Sequence, residues 1–340
     1  MPRTKVSFTT CNLYNLNEPG LPMYRNQTGW EPAQYDKKIN WLASQLKSLD
    51  SDVWAFQELW HQQSLHQAFT RAELSGDYRL LVPDSHQGDH ILCAGAVKTN
   101  ILVGEPEWIT DFPQDFHLAS SGDDDQTSDI AVTINTFSRP VLHFTIKPRT
   151  DGKVIHVYVA HFKSKRPTDI YREGWYESDR HKIHSEALGS ALSTIRRTAE
   201  ATALRMMITS QTKGTDTPVV LMGDLNDNQG SNTLNILTGQ PNYLLAGYSK
   251  GGSDVDLYSV GTLQEYRSRR DVYYTHVFKN NQESLDHILV SQEFYDNSRK
   301  RIWAFKGMEV LNDHLNHHDH KETGSVDHGL VKAEFEYRPA

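Results

Sequence analysis

The sequence predicts one large α/β domain that spans residues 1–340. Short β-rich runs occur from one end of the chain to the other, two amphipathic helices lie between them, and no internal repeat is present. The first and the last strand-like runs both carry polar residues at one end. A boundary in the middle of the chain would separate these residues, so we expect a single domain.

Six runs have the alternation or the apolar character of strands, and each brings polar side chains to one of its ends. In chain order these ends are Asn12 in "KVSFTTCNL", Glu58 in "DVWAFQE", His161 in "KVIHVYVAHFKSK", Asp224 in "PVVLMGDLND", Asp286 in "SLDHILVS", and Asp327 with His328 in "SVDHGLVKAEFEY".

Two segments between the strands predict helices. Apolar residues recur at spacings of three and four in residues 34–50 and again in residues 181–208. In the second segment the recurring positions are Ile183, Leu188, Leu192, Ile195, Ala199 and Ala203.

The composition is that of an ordinary globular protein, with 37% hydrophobic and 23% charged residues. No apolar stretch is long enough for a transmembrane helix, and the N-terminus lacks the apolar core of a secretory signal. We therefore expect a cytoplasmic protein, or a secreted one only if an upstream signal peptide was removed. Cys11 and Cys93 cannot build a disulfide framework. No obligate protein partner is evident.

The charge distribution is uneven. A formal net charge of −8 argues against a surface coated with basic residues for nucleic acid. Residues 160–206 nevertheless contain nine lysines and arginines against six acidic residues, so a local basic strip is present.

The polar strand ends predict a reaction centre when they are taken together. A single aspartate after a buried strand is often only a turn or capping residue. The whole set supplies hard oxygen ligands, which suit Mg²⁺ or Mn²⁺ rather than zinc. It also supplies two histidines from distant positions, as displacement at phosphorus requires. One histidine can activate water or assist the leaving group, while the other stabilises the pentacoordinate charge.

The motifs resemble those of the endonuclease/exonuclease/phosphatase superfamily, which has the fold of DNase I. In this order they are "CNLYNL", "AFQEL", "AHFKSK", "MGDLND", "LDHILVS" and "VDHGLV". The resemblance covers nearly the whole chain, and the six motifs together are far more specific than "GDLND" alone. It implies a four-layer α/β sandwich in which two mostly antiparallel sheets pack face to face with helices outside. The motif loops gather at one end of that sandwich.

The resemblance also implies a metal-binding group. Glu58 corresponds to the principal metal-ligand carboxylate, Asn12 lies beside it, and Asp327 completes the environment of an Mg²⁺ or Mn²⁺ ion.

The resemblance implies catalytic roles for five further residues. His161 and His328 flank the scissile phosphate, and Asp286 orients His328 through a hydrogen bond. Asp224 positions or deprotonates the attacking water, and Asn226 holds a phosphate oxygen.

Basic residues next to the third motif are candidates for substrate binding. Lys163, Lys165 and Arg166 follow His161, and they could hold flanking phosphates or form a solvated basic turn. Strand alternation would place Lys163 on the same face as His161. Arg139 resembles a family position near the substrate, although it could equally form a surface ion pair.

Departures from two branches of the superfamily narrow the expected activity. The inositol-phosphatase branch usually has Trp before Gly-Asp and an Asp-Arg pair, whereas this chain has Met222 and Asp286 followed by His287. The abasic-site endonuclease branch usually has Asp where this chain has Tyr14, and it lacks a histidine at the position of His161. The pattern is similar to DNase I-type nucleases and to sphingomyelinase-like phosphodiesterases.

The sequence favours a metal-dependent phosphodiesterase, most readily a nuclease. "HFKSK" and further basic residues, including Arg196–Arg197 and "YRSRR" at 266–270, favour nucleic acid, while the net charge of −8 opposes it. A lipid or small-molecule phosphoesterase, including a phosphomonoesterase, is the alternative. Residues 17–30 offer Leu21, Met23, Tyr24 and Trp30 as an apolar lip, a lid or a packed loop. A non-catalytic binding module would have lost a catalytic position, and none is lost.

The segment "NDHLNHHDHKETGSVDHGLV" at 312–331 is rich in histidine. His328 belongs to the last motif. The other four histidines, His314, His317, His318 and His320, lack regular metal-ligand spacing, and we expect a solvated loop rather than a second metal site. Asp313 and His314 are the exceptions that we expect near the active-site mouth. His287 should point to the opposite face of its sheet and pack in the core.

Overall fold

The computed structural model describes residues 3–24, 29–122, 128–241, 243, 251–268, 274–316 and 319–340. The first strands are β1 (Lys5–Leu16), β2 (Val53–His61), β3 (Tyr78–Leu81), β4 (Gln87–Lys98), β5 (Leu102–Asp111), β6 (Ala119–Ser120), β7 (Ile130–Ala131) and β8 (Thr136–Ile146). They are followed by β9 (Ile155–His161), β10 (Val219–Asp224), β11 (Tyr258–Ser259), β12 (His276–Phe278), β13 (Asn281–Glu283), β14 (Asp286–Val290), β15 (Trp303–Leu311) and β16 (Leu330–Tyr337). The helices are α1 (Pro32–Leu49), α2 (Gln62–Arg71), α3 (Ser178–His181), α4 (Ser185–Thr212), α5 (Asn232–Thr238), α6 (Val260–Arg267) and α7 (His320–Thr323).

Two six-stranded sheets form the centre of the fold. The first has the order β15-β16-β1-β2-β4-β3, and the second has the order β11-β14-β10-β9-β8-β5. Within each sheet one neighbouring pair is parallel, β1 with β2 and β9 with β10, and the other pairs are antiparallel. The prediction of two mostly antiparallel sheets is therefore confirmed.

The buried side chains divide into an interior between the sheets and two outer layers under helices. The interior contains Phe8 and Val97 from the first sheet and Val157 and Met222 from the second. A second cluster joins α1 and α2 to the outer face of the first sheet. A third joins α4 and α5 to the outer face of the second sheet. This arrangement is the four-layer α/β sandwich that the sequence predicts.

Strand alternation determines where the polar strand ends point. In β1, Val6 and Phe8 face the other sheet, so Asn12 has the same orientation four residues later. In β10 the inward positions Val220 and Met222 are followed by Asp224. The polar ends therefore continue the buried inner faces of their strands, and they lie at one edge of the space between the sheets.

The second predicted helix is present, but its apolar repeat divides into two parts. A 3₁₀ turn at Lys182–His184 separates α3 from α4. Ala199 and Ala203 in the C-terminal half of α4 are fully buried. The preceding positions of the repeat are exposed, and Ile183 reaches 84% exposure. Periodicity thus predicted the helix correctly, while only half of its apolar stripe faces the core.

The last strand begins three residues later than the sequence suggests. β16 starts at Leu330, and His328 is joined to His276 by an isolated bridge instead of lying in the sheet.

Cys11 and Cys93 are free and buried. Within the described ranges, none of the helices combines the length and apolarity that crossing a bilayer requires.

Candidate active site

Three predicted residues lie side by side on neighbouring strands of the second sheet. Asp224, the last residue of β10, is in register with His161 of β9 and with Asp286 of β14. All three are buried and face the space between the sheets. Strand pairing alone therefore brings together side chains that are far apart in sequence.

His328 completes a linear network with these residues. Its Nδ1 lies 2.8 Å from Oδ2 of Asp286, and its Nε2 lies 4.0 Å from Oδ2 of Asp224. Nε2 of His161 lies 3.5 Å from the same Asp224 oxygen. Two imidazoles thus approach one carboxylate, and Asp286 fixes the orientation of one of them.

Two asparagines hold the central carboxylate. The Asn12 side chain donates a hydrogen bond to Oδ2 of Asp224 at 3.1 Å. The backbone N–H of Asn226 donates to Oδ1 of Asp224 at 2.9 Å, and the Asn226 side chain donates to the carbonyl of Phe162 at 3.1 Å. Both oxygens of Asp224 are therefore fixed, one by a donor on β1 and the other by a donor in the segment after β10.

The glycine of the "GDLND" motif permits this close packing. Gly223 has φ +145°, and a Cβ atom at this position would lie 1.9 Å from the carbonyl oxygen of Ala160. Any side chain would force β9 and β10 apart. Because His161 and Asp224 are the next paired residues on these strands, the glycine maintains their spacing.

Glu58 occupies an irregular part of β2. Its φ of 60° lies in the left-handed region, which is strained for a residue with a side chain. Oε2 accepts a hydrogen bond from the backbone N–H of Asn15 at 3.0 Å, and Oε1 lies 4.0 Å from Nε2 of His161. The Asn15 side chain in turn accepts from Nε1 of Trp60 at 3.0 Å. The irregular backbone thus holds the carboxylate next to the histidine network.

Asp327 and an unexpected histidine lie on the other side of His328. Potential ligand atoms of His276, Asp327 and His328 lie within 4.8 Å of one another, and the rings of the two histidines are 4.9 Å apart. His276 was missed in the sequence because it lies in a three-residue strand. The hairpin turn that follows this strand has Lys279 and Asn280 in left-handed conformations. Glycine at either position would have indicated a hairpin more clearly in the sequence.

The local environment gives the two catalytic histidine candidates opposite protonation states. Burial, followed by the positive charge of Arg139, holds the pKa of His161 well below its ordinary value. Burial also lowers the pKa of His328, but the carboxylates of Asp286 and Asp224 outweigh it and raise that pKa well above its ordinary value. Burial raises the pKa of Asp224 to about 7, against the opposing charge of His328. Near neutral pH the site therefore contains a proton acceptor and a proton donor.

A divalent cation could be held by Glu58, Asp327 and Asn12. Their carboxylate and amide oxygens are the hard ligands that Mg²⁺ and Mn²⁺ prefer. Burial and then the charge of Asp327 raise the pKa of Glu58, so the two carboxylates lie close enough to share a cation. The donor set therefore fits the predicted metal.

The backbone, not strand alternation, positions Lys163. Because β9 ends at His161, the alternation on which the sequence prediction relied does not extend to this lysine. The N–H of Lys163 instead donates to Oε2 of Glu200 at 2.8 Å. Burial and then the charge of Arg139 lower the pKa of Lys163, so both cations face the same region. Arg139 also donates to the carbonyl of Phe162 at 3.0 Å.

Two members of the predicted basic strip are neutralised within the protein. Nζ of Lys165 lies 2.7 Å from Glu283 and 3.5 Å from Asp227. Arg197 is buried and lies 3.3 Å from Asp227, so the expectation that it offers positive charge to nucleic acid is wrong. Residues 269–270 of the second basic cluster lie outside the described residues.

Glu200 on α4 is a further residue that sequence reasoning missed. It is buried, and its two carboxylate oxygens accept the backbone N–H groups of Ser138 and Lys163, each at 2.8 Å. It thereby joins the start of β8, which carries Arg139, to the segment after β9 that carries Lys163. The sequence contains one indication of this role: Glu200 is a charged residue on the side of a predicted helix that is expected to be buried, and buried charges are usually paired.

Residues 17–30 do not form a purely exposed apolar lip. Trp30 is buried, and its Nε1 donates to the carbonyl of Asn15 at 2.7 Å. Met23 packs against the cluster under α1, whereas Tyr24 is exposed and contacts Trp60 edge-on. Residues 25–28 lie outside the described residues. The packed-loop alternative therefore describes most of this segment.

The histidine-rich loop is more ordered than the sequence predicts. Nε2 of His314 lies 2.7 Å from the carbonyl oxygen of His328, and the ring packs against Trp41. Nδ1 of His320 lies 2.9 Å from Oγ of Ser325. The expectation of a solvated loop is therefore wrong for His320, whereas His317 and His318 lie outside the described residues.

Two further predictions concern Asp313 and His287. Asp313 is exposed, and the proximity to the active site that we expected is seen at His314. His287 is buried on the face opposite Asp286, and its Nε2 lies 2.8 Å from the carbonyl oxygen of Asp227. Its prediction as a packed histidine is confirmed.

Several solved structures share this fold. An endonuclease/exonuclease/phosphatase family protein from Bacteroides thetaiotaomicron is 17% identical, with 99% of each chain covered and a TM-score of 0.54. Truncated TDP2 from Caenorhabditis elegans is 13% identical, with 98% of each chain covered and a TM-score of 0.54. The human Nocturnin catalytic domain with a bound sulfate anion is 15% identical, with 99% of this chain and 96% of that chain covered and a TM-score of 0.55. At these identities the likeness shows the fold alone.

The sequence comparisons give the family. No curated protein sequence matches the chain significantly. The model of the Endonuclease/Exonuclease/phosphatase family matches residues 31–325, which is most of the chain. The protein belongs to the endonuclease/exonuclease/phosphatase family.

Proposed function

We propose that this protein hydrolyses phosphodiester bonds by metal-dependent attack of water at phosphorus, with nucleic acid as the substrate class. The observation that carries the proposal is the position of Asp224 between the Nε2 atoms of His161 and His328, 3.5 and 4.0 Å away. Glu58 approaches His161 from one side, and Asp327 lies next to His328.

The binding of the reacting phosphate would depend on positive charge from the cation and from protein side chains. The cation held by Glu58, Asp327 and Asn12 would neutralise charge that develops on the phosphoryl oxygens. Arg139 and Lys163 would hold a neighbouring phosphate, because their positive charges face the region of the site.

The proton transfers would be divided between the central carboxylate and the two rings. Asp224 would accept the proton of the attacking water, since a pKa of about 7 suits a general base at neutral pH. As the new P–O bond forms, the P–O bond on the opposite side would break, and the departing alkoxide would take up a proton from solvent. His328, which is kept protonated by Asp286 and Asp224, would donate a hydrogen bond to a phosphate oxygen. His161, which is neutral, would orient the water. The Asn226 side-chain NH2 group, which donates one N–H to the carbonyl of Phe162, would donate its second N–H to a phosphate oxygen.

A second candidate substrate is an amphiphilic phosphodiester such as a phospholipid. Large apolar side chains are exposed between residues 171 and 195, and they are Tyr171, Trp175, Ile183, Leu188, Leu192 and Ile195. This segment adjoins the loop that follows β9 and carries Lys163, because the backbone N–H of Thr168 donates to the carbonyl of Gly189 at 3.1 Å. Contiguous exposed apolar side chains with aromatic residues are typical of surfaces that contact lipid or protein.

One panel of substrates tests both candidates. Single-stranded DNA, RNA, bis-p-nitrophenyl phosphate and sphingomyelin vesicles would be incubated with Mg²⁺ or Mn²⁺. Glu58→Gln and His328→Ala should abolish turnover of whichever substrate is hydrolysed, whereas Glu309→Gln, at an exposed residue of β15, should retain it. Failure to hydrolyse any phosphodiester under these conditions would reject the proposal.

The substrate class is separated by a surface variant. Leu188→Ser with Leu192→Ser removes two exposed apolar side chains from α4. Unchanged cleavage of nucleic acid in this variant, with no hydrolysis of vesicles by the wild type, would support the nuclease. Vesicle hydrolysis that is lost in this variant, without nucleic-acid cleavage, would replace the nuclease with a lipid phosphodiesterase.

A further inference from the structure

A second group of metal-ligating side chains lies at the start of β4. We infer that His86, Asp89 and His90 bind a first-row transition cation such as Zn²⁺. One ligand atom from each of these residues lies within 4.8 Å of those from the other two. The group shares no residue with the active site, so its occupancy can be measured separately.

His86 is held in the state that a metal ligand requires. Its backbone N–H donates to the carbonyl of Pro83, and its own carbonyl accepts from Gln62, both at 3.0 Å. Nε2 of the ring lies 2.9 Å from the carbonyl oxygen of Leu59, which can only accept a hydrogen bond. The ring proton is therefore on Nε2, and Nδ1 carries the lone pair that binds a cation. A backbone carbonyl behind the ring is the usual outer partner of a metal-binding histidine.

The other two ligands are open to solvent and lie close together. Nδ1 of His90 is 3.0 Å from Oδ2 of Asp89, and the rings of His86 and His90 are 5.0 Å apart. Gly88 has φ +99°, and a Cβ atom there would lie 3.1 Å from Oδ1 of Asn17. This irregular start of β4 lies directly after the buried histidine, and the exposure of Asp89 and His90 gives a cation access.

The ligand types select a cation different from that of the active site. Two imidazoles and one carboxylate suit Zn²⁺, Co²⁺ or Ni²⁺, whereas Mg²⁺ prefers oxygen ligands. Three protein ligands leave a position for water. Because Leu59 directly follows Glu58, a cation bound to His86 would also fasten β4 to the irregular part of β2.

A Co²⁺ titration of the full chain tests the inference. The titration would use the Glu58→Gln, His328→Ala background, because His328 belongs to both groups of potential ligand atoms in the active site that would otherwise compete for Co²⁺. We expect one Co²⁺ per chain, seen by its visible absorption, and an affinity at least about tenfold lower after His90→Ala. His66→Ala, which alters an exposed histidine of α2, is the matched control and should bind normally.

Two outcomes would overturn the inference. The first is unchanged Co²⁺ affinity after His90→Ala. The second is loss of binding after His320→Ala with retention after His90→Ala, which would assign the cation to the histidine-rich loop. Thermal unfolding gives a second readout: Zn²⁺ should raise the midpoint of the wild type but not of His90→Ala. Without metal the two proteins should melt together, because the His90 side chain is exposed.

Discussion

The floor of the active site and its rim are built in different ways. The floor consists of His161, Asp224 and Asp286, which strand register places on three neighbouring strands. The rim consists of turns whose positions depend on buried charges, such as the Glu200 carboxylate that holds the N–H of Lys163. The proposed catalytic groups are thus fixed by the sheet, whereas the proposed substrate contacts depend on long-range pairs. This difference predicts large effects from floor substitutions and small ones from rim substitutions.

The largest effect should come from the proposed metal ligand on β2. Glu58→Gln keeps the shape of the side chain but removes the charge that would hold the cation. We expect kcat/KM for bis-p-nitrophenyl phosphate to fall by about a thousandfold, since a metal contributes several kcal/mol to such a transition state. The Mg²⁺ concentration needed for half-maximal activity should also increase. A loss of less than tenfold would remove Glu58 from the cation site.

The next effect concerns the partner of His328. Asp286→Asn removes the first of the three carboxylates, those of Asp286, Asp224 and Asp327, that raise the pKa of this histidine. The pKa of His328 should therefore fall, and the alkaline limb of the pH–rate profile should move to lower pH. Activity at neutral pH should drop by about 10- to 100-fold.

His276→Ala provides the contrast for that measurement. The ring of His276 also lies next to the ring of His328. Unlike Asp286, however, His276 has no negative charge that could raise the pKa of His328. Its removal should therefore leave the alkaline limb in place or move it slightly upwards, because a neighbouring ring that can become positively charged is lost. An equal downward shift in both variants would contradict the orientation of His328 by Asp286.

A smaller effect, on stability alone, should come from a carboxyl far from the floor. Glu293 is buried and accepts a hydrogen bond from Ser291 at 2.6 Å, and burial raises the pKa of Glu293 to about 7. Its neutral form stabilises the fold below pH 4.5, and this contribution is lost as the pH rises through 7. We therefore compare the free energy of unfolding of Glu293→Gln with that of the wild type at each pH. Between pH 4.5 and pH 8 this difference should shift in favour of the variant by on the order of 2 kcal/mol. Urea unfolding at both pH values measures the difference.

The comparison protein for this stability measurement is Glu309→Gln. Glu309 is exposed on β15, so the difference in stability between this variant and the wild type should change little with pH. A similar pH trend in both variants would show that the burial of Glu293 is not its cause.

The smallest effect should come from the rim. Lys165 is paired with Glu283 and Asp227, so Lys165→Ala should change KM for single-stranded nucleic acid less than about threefold. Lys163→Ala should raise KM more, and it should flatten the dependence of KM on salt, because Lys163 is the proposed phosphate contact. If Lys165→Ala had the larger effect, the rim would be organised by substrate and not by its internal ion pairs.

The division between floor and rim also explains what the sequence could predict. Asn12, His161 and Asp224 follow apolar residues of the same alternation, and Asp286 precedes such residues, so the inward direction of all four follows from their strands. The order of the motifs then indicated the fold. These predictions needed only local patterns and a family resemblance.

Other features depended on contacts that no local pattern encodes. His276 reaches His328 through a short hairpin, and Glu200 lies on a helix that is distant in sequence from both segments that it joins. Arg197 appeared to be one residue of a basic strip, but the packing of α4 buries it against Asp227. Tertiary packing decided each of these cases, so the sequence alone could not.

The left-handed backbone at Glu58 has a consequence for directed evolution. Together with Tyr14, Asn15 and Asn226, it forms a group of non-glycine residues with φ between 51° and 60° around the site. Such conformations cost on the order of 1 kcal/mol each. A selection for heat tolerance alone would therefore favour glycine at Tyr14 or Asn15, and the resulting loops would hold Glu58 less firmly. A library intended to yield a robust catalyst should keep these positions constant and vary the distant core.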